Sequence, residues 1–456
     1  MPRVGRRHDS TPVRGYGIIG NVWRGKPARW SCIVVVDHYS QSNAQVTRFG
    51  NGMTVALERL PYLRSATVSV WVRAGSMHET PEENGIAHFI EHLLFKGTKT
   101  RSAHDLMDAI EGRGGHFNAY TSRGYTCYYI RILQEHVPVA IEILSDIVKN
   151  SLFNDMDKER GVILEEIASA EDTPDDLIHD LLSEFHWPGH ALGRPIAGTE
   201  DTVSAISREM VNDYFTRSYN PSNTFFVIVG NFDEERVLAQ LQTEFEGEAP
   251  GPLNLPGEPP VFNAGSEIHE REISQCHVTL AYPGPALGTA DRYICDLTST
   301  VLGGGSTSRL FERIREDEGL AYNIQSFHSF YPGAGVLGVY AAVAPENYHR
   351  CMELIYEEIR KLRDAGLEEE ELRKNREQLK GYMLMSLEST SARASRIGKS
   401  LMHYGRIIGV DEVLGHLESV SPDDVQRFCR EVFTVGNTAH VVLGPEDGPE
   451  LAEIAL

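Results

Sequence analysis

The stretch GIAHFIEHLLF, residues 85–95, sets three ionisable side chains, His88, Glu91 and His92, among residues that are otherwise apolar. On a helix turning about 100° per residue, His92 sits roughly 40° from His88 and Glu91 about 60° to the other side, so all three converge on one patch. Two imidazoles placed in this way can grip one metal ion, with the carboxylate beside its open position. The order H-x-x-E-H reverses H-E-x-x-H, and in it the Glu is the general base and not a ligand. Buried histidines can also be satisfied by backbone carbonyls, and a chain with 18 His can carry this spacing by chance. A tetrahedral zinc with water in its fourth place needs one more protein ligand. A carboxylate should therefore stand where carboxylates do not belong.

Residues 158–170, KERGVILEEIASA, supply candidates. With Glu159 at zero on a helical wheel, Val162, Ile163, Ile167 and Ala170 fall within about 80° of it and define a buried stripe. Glu166 falls near −20°, inside the stripe, and Glu165 near −120°, toward solvent. Burial of both Glu159 and Glu166 on one face would be expensive without a compensating cation. Glu166 is therefore the expected third ligand, and Glu159 is expected to orient a ligand or a water. An outward-facing acidic helix, the bland alternative, suits Glu165 and Glu171 but not this pair.

The elements that must position these residues follow from hydrophobic periodicity. Residues 53–59, 67–72, 126–133 and 224–229 read as strands, and 85–95, 103–111 and 136–148 as helices. GEAPGPLNLPGEPP, 247–260, sustains neither period and reads as part of a linker. Beyond it, a strand pair ending near Tyr282, a helix over 291–302, a strand over 335–343 and a helix over 348–362 follow their counterparts by roughly 205 to 210 residues. The expected fold class is α+β: two homologous domains, each a mostly antiparallel sheet packed with helices, from an internal duplication. The expected divisions are a basic N-terminal extension (1–44), a metal-binding domain (45–246), a linker (247–264) and a second domain (265–456). Helix 367–387 should show a solvated face with charge pairs four residues apart.

HFIEHLLFKGT (88–98), FNAYTS (117–122) and ERGVILEE (159–166), in that order, resemble the pitrilysin-type zinc peptidases. The likeness is strongest to the two-domain branch that includes the mitochondrial processing peptidase β subunit and its bacterial relatives, and it runs from about Val46 to the C terminus. The resemblance implies one zinc per chain on His88, His92 and Glu166, base catalysis by Glu91 and support from Glu159. It implies that Asn118 and Ala119 bond the backbone of an extended peptide substrate by strand addition. It also implies that Arg315 and Tyr322, in RIREDEGLAY (313–322), face the metal across a chamber and bond the developing oxyanion and substrate carbonyls. In a two-domain chain that pair would come from a partner subunit, so a homodimer, or a heterodimer with a related subunit, is expected. Helix 291–302 lacks a His–Glu–His trio, so only the first domain should bind metal. Gly124 departs from the family's pattern, where an acidic residue is common. A different reading is a noncatalytic scaffold or partner subunit, as in respiratory-core proteins of this fold.

Composition narrows the remaining classes. The 456 residues carry a net charge of −22, and since 1–44 hold seven basic against two acidic residues, the body carries about −27. Such a surface repels nucleic acid and anionic membranes and favours basic peptides. The glycines at 303–305 lack the GK[ST] of a phosphate-binding loop. Six scattered cysteines without a CxxC pair point to buried thiols. No apolar run reaches the ~20 residues of a membrane span, and the short run 32–36 cannot form a signal-peptide core. A cytoplasmic location is the default, with organelle targeting by the basic arm as the alternative.

Overall fold

A computed structural model describes residues 44–446, 448–452 and 456. The basic segment 1–43, with Cys32, lies outside the described residues, so the extension expected there is not addressed beyond Ala44, which opens the first strand. The first half runs β1 (Ala44–Arg48), β2 (Thr54–Arg59), β3 (Ser65–Val72), α1 (Ile86–Leu94), α2 (Ala103–Glu111), β4 (His116–Thr121), β5 (Thr126–Leu133), α3 (Val137–Asn150), α4 (Met156–Glu171), α5 (Pro174–His186), α6 (Glu200–Ala205), α7 (Arg208–Ser218), β6 (Thr224–Gly230) and α8 (Glu234–Glu244). The second runs β7 (Gly265–Glu270), β8 (Cys276–Pro283), α9 (Asp291–Gly303), β9 (Ala321–Tyr331), β10 (Ala334–Val343), α10 (Tyr348–Asp364), α11 (Glu369–Ser386), α12 (Thr390–Tyr404), α13 (Val410–Ser419), α14 (Pro422–Val432) and β11 (Ala439–Gly444).

The strand orders are β1-β2-β6-β3-β5-β4 and β7-β11-β8-β10-β9. Without β1, the first order maps onto the second, and each sheet has a single parallel pair at the same place, β2 with β6 and β7 with β11. The fold class is thus α+β with an internal duplication. Strands β6 and β8 are buried almost throughout because helices cover both faces of their sheets.

Some of that cover is exchanged between the halves. Helix α5, from the first half, lays Ile178 and Leu182 on the second sheet against Tyr340, Val441 and Leu443. Helix α12, from the second half, lays Ala394, Ile397 and Leu401 on the first sheet against Trp71, Phe225 and Val227. Each exchanged helix also carries a polar tie: Asp175 Oδ1 lies 3.1 Å from His277 Nδ1, and Arg393 Nη1 lies 2.8 Å from the buried Glu58. Gly398 lets α12 approach closely, since a Cβ there would stand 2.2 Å from the Trp71 indole. Each sheet is therefore built from one half of the chain, but its cover is not. The stretch 247–264 has no regular element, yet Asn254 Nδ2 donates to Arg73 O at 2.6 Å and fastens it to the first half.

On α11 the charge pairs are three residues apart, Glu370 with Arg373 and Glu377 with Lys380, or seven, Glu369 with Arg376, not four as expected. The five described cysteines are free and buried. Among the described residues no helix is long and apolar enough to cross a membrane.

Candidate metal centre

Helix α1 is driven inward by Ile86, Phe89, Ile90, Leu93 and Leu94, all fully buried. Its start is fixed by Gly85, at φ 94°, where a Cβ would meet Ala197 O at 2.6 Å. The carboxylate of Glu79 then accepts from the N–H groups of Gly85 and Ala87, each at 2.9 Å, and satisfies donors that the helix leaves free. Burial raises the Glu79 carboxyl to about 7 despite those two bonds, which act to lower it.

The third turn of α4 faces this helix. Glu166 Oε2 lies 3.7 Å from His88 Nε2 and 3.6 Å from His92 Nε2. Potential ligand atoms of the three residues all lie within 4.8 Å of one another, and among the described residues this is the only such His/Cys/Asp/Glu group. Separations of 3.6 and 3.7 Å are too long for hydrogen bonds. They are close to the edge of roughly 3.4 Å expected between ligands of a tetrahedral zinc with bonds near 2.1 Å. Two imidazole nitrogens and a carboxylate oxygen are also the donor set of open zinc sites, so these residues fit the ion.

The flanking groups complete the centre. Glu159 Oε2 lies 3.5 Å from His92 Nδ1, and its Oε1 lies 2.7 Å from Lys96 Nζ. Glu159 therefore faces the outer nitrogen of His92 and is itself neutralised by Lys96. The outer nitrogen of His88 is buried without a partner. Burial, with a smaller contribution from His92, holds the His88 imidazole down to about 4, which keeps it neutral and able to ligate. Glu91 is 9% exposed, and its Oε2 accepts from Thr121 Oγ1 at 2.6 Å. Burial pushes its carboxyl above the usual range, opposed by the Thr121 bond and by His92.

His88, Glu91, His92, Glu159 and Glu166 are thus brought together, with one correction. Glu159 is buried as expected, but the Glu166 side chain is 49% exposed and Val162 is 41% exposed. The buried stripe of α4 runs through Met156, Glu159, Ile163 and Ile167. Its centre lies further round the wheel than expected, which leaves Glu166 on the rim and Val162 beyond it. From that rim Glu166 still reaches both histidines.

Asn118 and Ala119 lie on β4, the edge strand of the first sheet. The outward N–H of Ala119 is covered by the Asn118 side chain at 2.8 Å, in place of a neighbouring strand. Arg315 and Tyr322 are not brought to this cluster. They stack on each other, the guanidinium 4.5 Å from the ring centroid, and Tyr322 is 80% exposed. The sequence reading missed Thr121, Lys96 and Glu79. Thr121 lies inside FNAYTS and Lys96 follows His92 by one helical turn, so both left a trace; Glu79 caps from outside its helix and left none.

Comparison with known proteins identifies the family. Residues 54–200 match the family model described as insulinase (peptidase family M16), and residues 205–379 match the one described as peptidase M16 inactive domain. An uncharacterized zinc protease of Streptomyces coelicolor is 40% identical over 85% of this chain and 86% of its own length. The uncharacterized zinc protease YmxG of Bacillus subtilis is 38% identical over 84% and 94%. A protease from Helicobacter pylori superposes with a TM-score of 0.83 at 22% identity, covering 89% of this chain and all of that one, and shares the fold. The chain belongs to peptidase family M16, as the resemblance to pitrilysin-type enzymes implied, and the stretch matched by the insulinase model contains His88, Glu91, His92, Glu159 and Glu166.

Proposed function

We propose that the protein is a zinc endopeptidase that cleaves extended, unfolded peptides laid along β4 inside an enclosed chamber. The observation that carries this reading is Glu91, a buried carboxylate bonded to the last residue of an edge strand and set beside a three-ligand metal cluster. His88, His92 and Glu166 would hold the ion, and zinc bound there supplies Lewis acidity that polarises a scissile carbonyl and acidifies water.

The remaining work belongs to the chain. Glu91 takes the proton of the attacking water and returns it to the leaving amine; its raised proton affinity suits both transfers. Thr121 fixes one oxygen of Glu91, leaving the other to the reaction. Glu159, 3.5 Å from His92 Nδ1, faces the outer nitrogen and so aims Nε2 at the ligand position, while Lys96 holds the other oxygen of Glu159. Along β4, an incoming peptide displaces the Asn118 side chain from the Ala119 N–H and takes its bond, which gives affinity with little demand on sequence. The exposed Tyr322 and the half-buried Arg315 stacked on it, bonded to nothing in the metal cluster, serve the site of a partner copy in a dimer with composite sites.

Chelation is expected to abolish cleavage of a quenched peptide and added zinc to restore it; unchanged turnover in chelator would reject the proposal. Glu91→Gln should lower kcat by about 10²–10⁴-fold with zinc content retained. Mixing that variant with Arg315→Ala should restore part of the activity if the sites are composite.

A further inference from the structure

Between the two halves lies a cavity of about 900 Å³ whose charge is opposite to that of the molecule. Five cations line it, Arg73, Arg123, Arg292, Arg396 and Lys399, and among the described residues no Asp or Glu does. Among the described residues no carboxylate lies within ion-pair distance of any of the five. Arg73 donates to Met402 O at 3.0 Å, Arg396 to Ile408 O at 2.6 Å, Arg123 to Arg194 O at 2.7 Å, and Arg292 to the Tyr404 hydroxyl. Such bonds orient a guanidinium without neutralising it, and the carboxylates that oppose it, Asp180 for Arg123, Glu58 for Arg396 and Glu412 for Arg292, act from outside contact distance and outside the cavity lining. The Nε groups of Arg73 and Arg396 are buried and have no acceptor at all. Unmatched donors and gathered positive charge in a partly dehydrated cleft are costly unless an anion enters, and low-dielectric walls focus their field on that anion. The field is felt nearby: after burial, Lys399, Arg73 and Arg292 each help to hold His403 down to about 4.

The cavity adjoins the strand that would carry substrate. Thr121, at the end of β4, turns toward Glu91, whereas Tyr120 turns to the other face of the sheet and packs on Trp71 and Tyr125. Tyr125 and Ser122, the residue after Thr121, line the cavity. A strand added to β4 alternates in the same way. Its side chains therefore divide between the metal cluster and the face on which the cations lie.

We propose that this cavity binds a carboxylate of the peptide held on β4, from an acidic side chain near the scissile bond or from the peptide's C terminus. The inference rests on the proteolytic reading and names a substrate feature for it. It concerns one position only: the acidic body can still draw in basic segments, while the cavity selects the residue directed at it.

The test uses the Glu91→Gln enzyme loaded with zinc, which binds peptides without turnover. Fluorescent peptides of one sequence carry Glu, Gln or Lys at successive positions around the scissile bond, each with a free or an amidated C terminus. The expected result is Kd about tenfold lower for an acidic peptide than for its neutral counterpart. That gain should be lost in the Arg123→Gln/Lys399→Gln background while the neutral peptide binds as before. A gain that follows the Glu position and survives amidation identifies a side chain; a gain lost on amidation identifies the terminus. Equal affinity for acidic and neutral peptides, or a gain that persists in the double variant, overturns the proposal. Lys399 is exposed, so Lys399→Gln alone serves as a fold-neutral control and should remove part of the gain. Failure of the wild-type enzyme to cut any peptide would instead strike at the proteolytic reading, because binding is measured separately from turnover.

Discussion

The two halves build the same strand order around different answers to one electrostatic problem. Counted from the first residue of each helix, His88, Glu91 and His92 of α1 correspond to Tyr293, Asp296 and Leu297 of α9. Leu297 is buried in the core, Tyr293 stacks on His416 with ring centroids 4.6 Å apart, and Asp296 pairs with His328 at 2.9 Å. Across from each helix runs a long acidic one. On α4 the carboxylates of Glu159 and Glu166 meet Lys96 and two imidazoles, whereas on α11 Glu371 meets Arg309 through two bonds of 2.7 Å. The scaffold thus requires positive charge between these layers and does not dictate its source. Where a side chain provides it, the site is closed; where histidines stand instead, an ion can enter.

This contrast can be broken deliberately. His92→Leu puts the second half's residue into the first and removes one of the three proposed ligands; zinc content should fall to background and activity by more than about 10³-fold, read by metal analysis and peptide cleavage. Gly398→Ala should wedge α12 away from Trp71 and cost about 3 kcal/mol in urea unfolding. An unchanged midpoint would show that the exchanged helix is not held as closely as its contacts require.

Acid should sharpen the comparison. Burial holds His440, on β11, down to about 4 against an ordinary 6.5. The unfolded chain takes up that proton first as pH falls, so the His440 contribution is complete above about 6.5 and lost progressively toward 4. Metal-free protein should therefore lose thermal stability over that window, and His440→Gln should flatten the loss by on the order of 2 kcal/mol. The smallest effect is expected from Arg309→Met, about 1 kcal/mol, since Glu371 is 31% exposed and water screens what remains. Zinc content should not change, and a variant that lost metal would contradict the independence of the two layers.

Much of this was legible because the chemistry is local. His88, Glu91 and His92 share one short helix, and three-residue and four-residue spacings fix their relative directions before any tertiary contact forms. Glu166 could be chosen over Glu165 by the same geometry, although its exposure was misjudged: a wheel gives angle, but where the buried stripe is centred depends on the neighbours that α4 meets. The duplication was visible as a repeated order of elements. The exchange of α5 and α12 was not, because an amphipathic helix displays the same pattern whichever sheet it covers. Glu79 was hidden for a related reason, as it joins α1 through a loop whose path no periodicity encodes. The interdomain cations lie far apart in sequence, from Arg73 to Lys399, so only folding gathers them.

The swapped helices make the halves mutually dependent. A polypeptide cut at Pro256 would leave each sheet with one greasy face stripped bare, so neither fragment could persist alone, whereas both made together could knit into the parent shape. The doubling visible in the strand order is thereby locked in, since each copy now carries part of the other's cover.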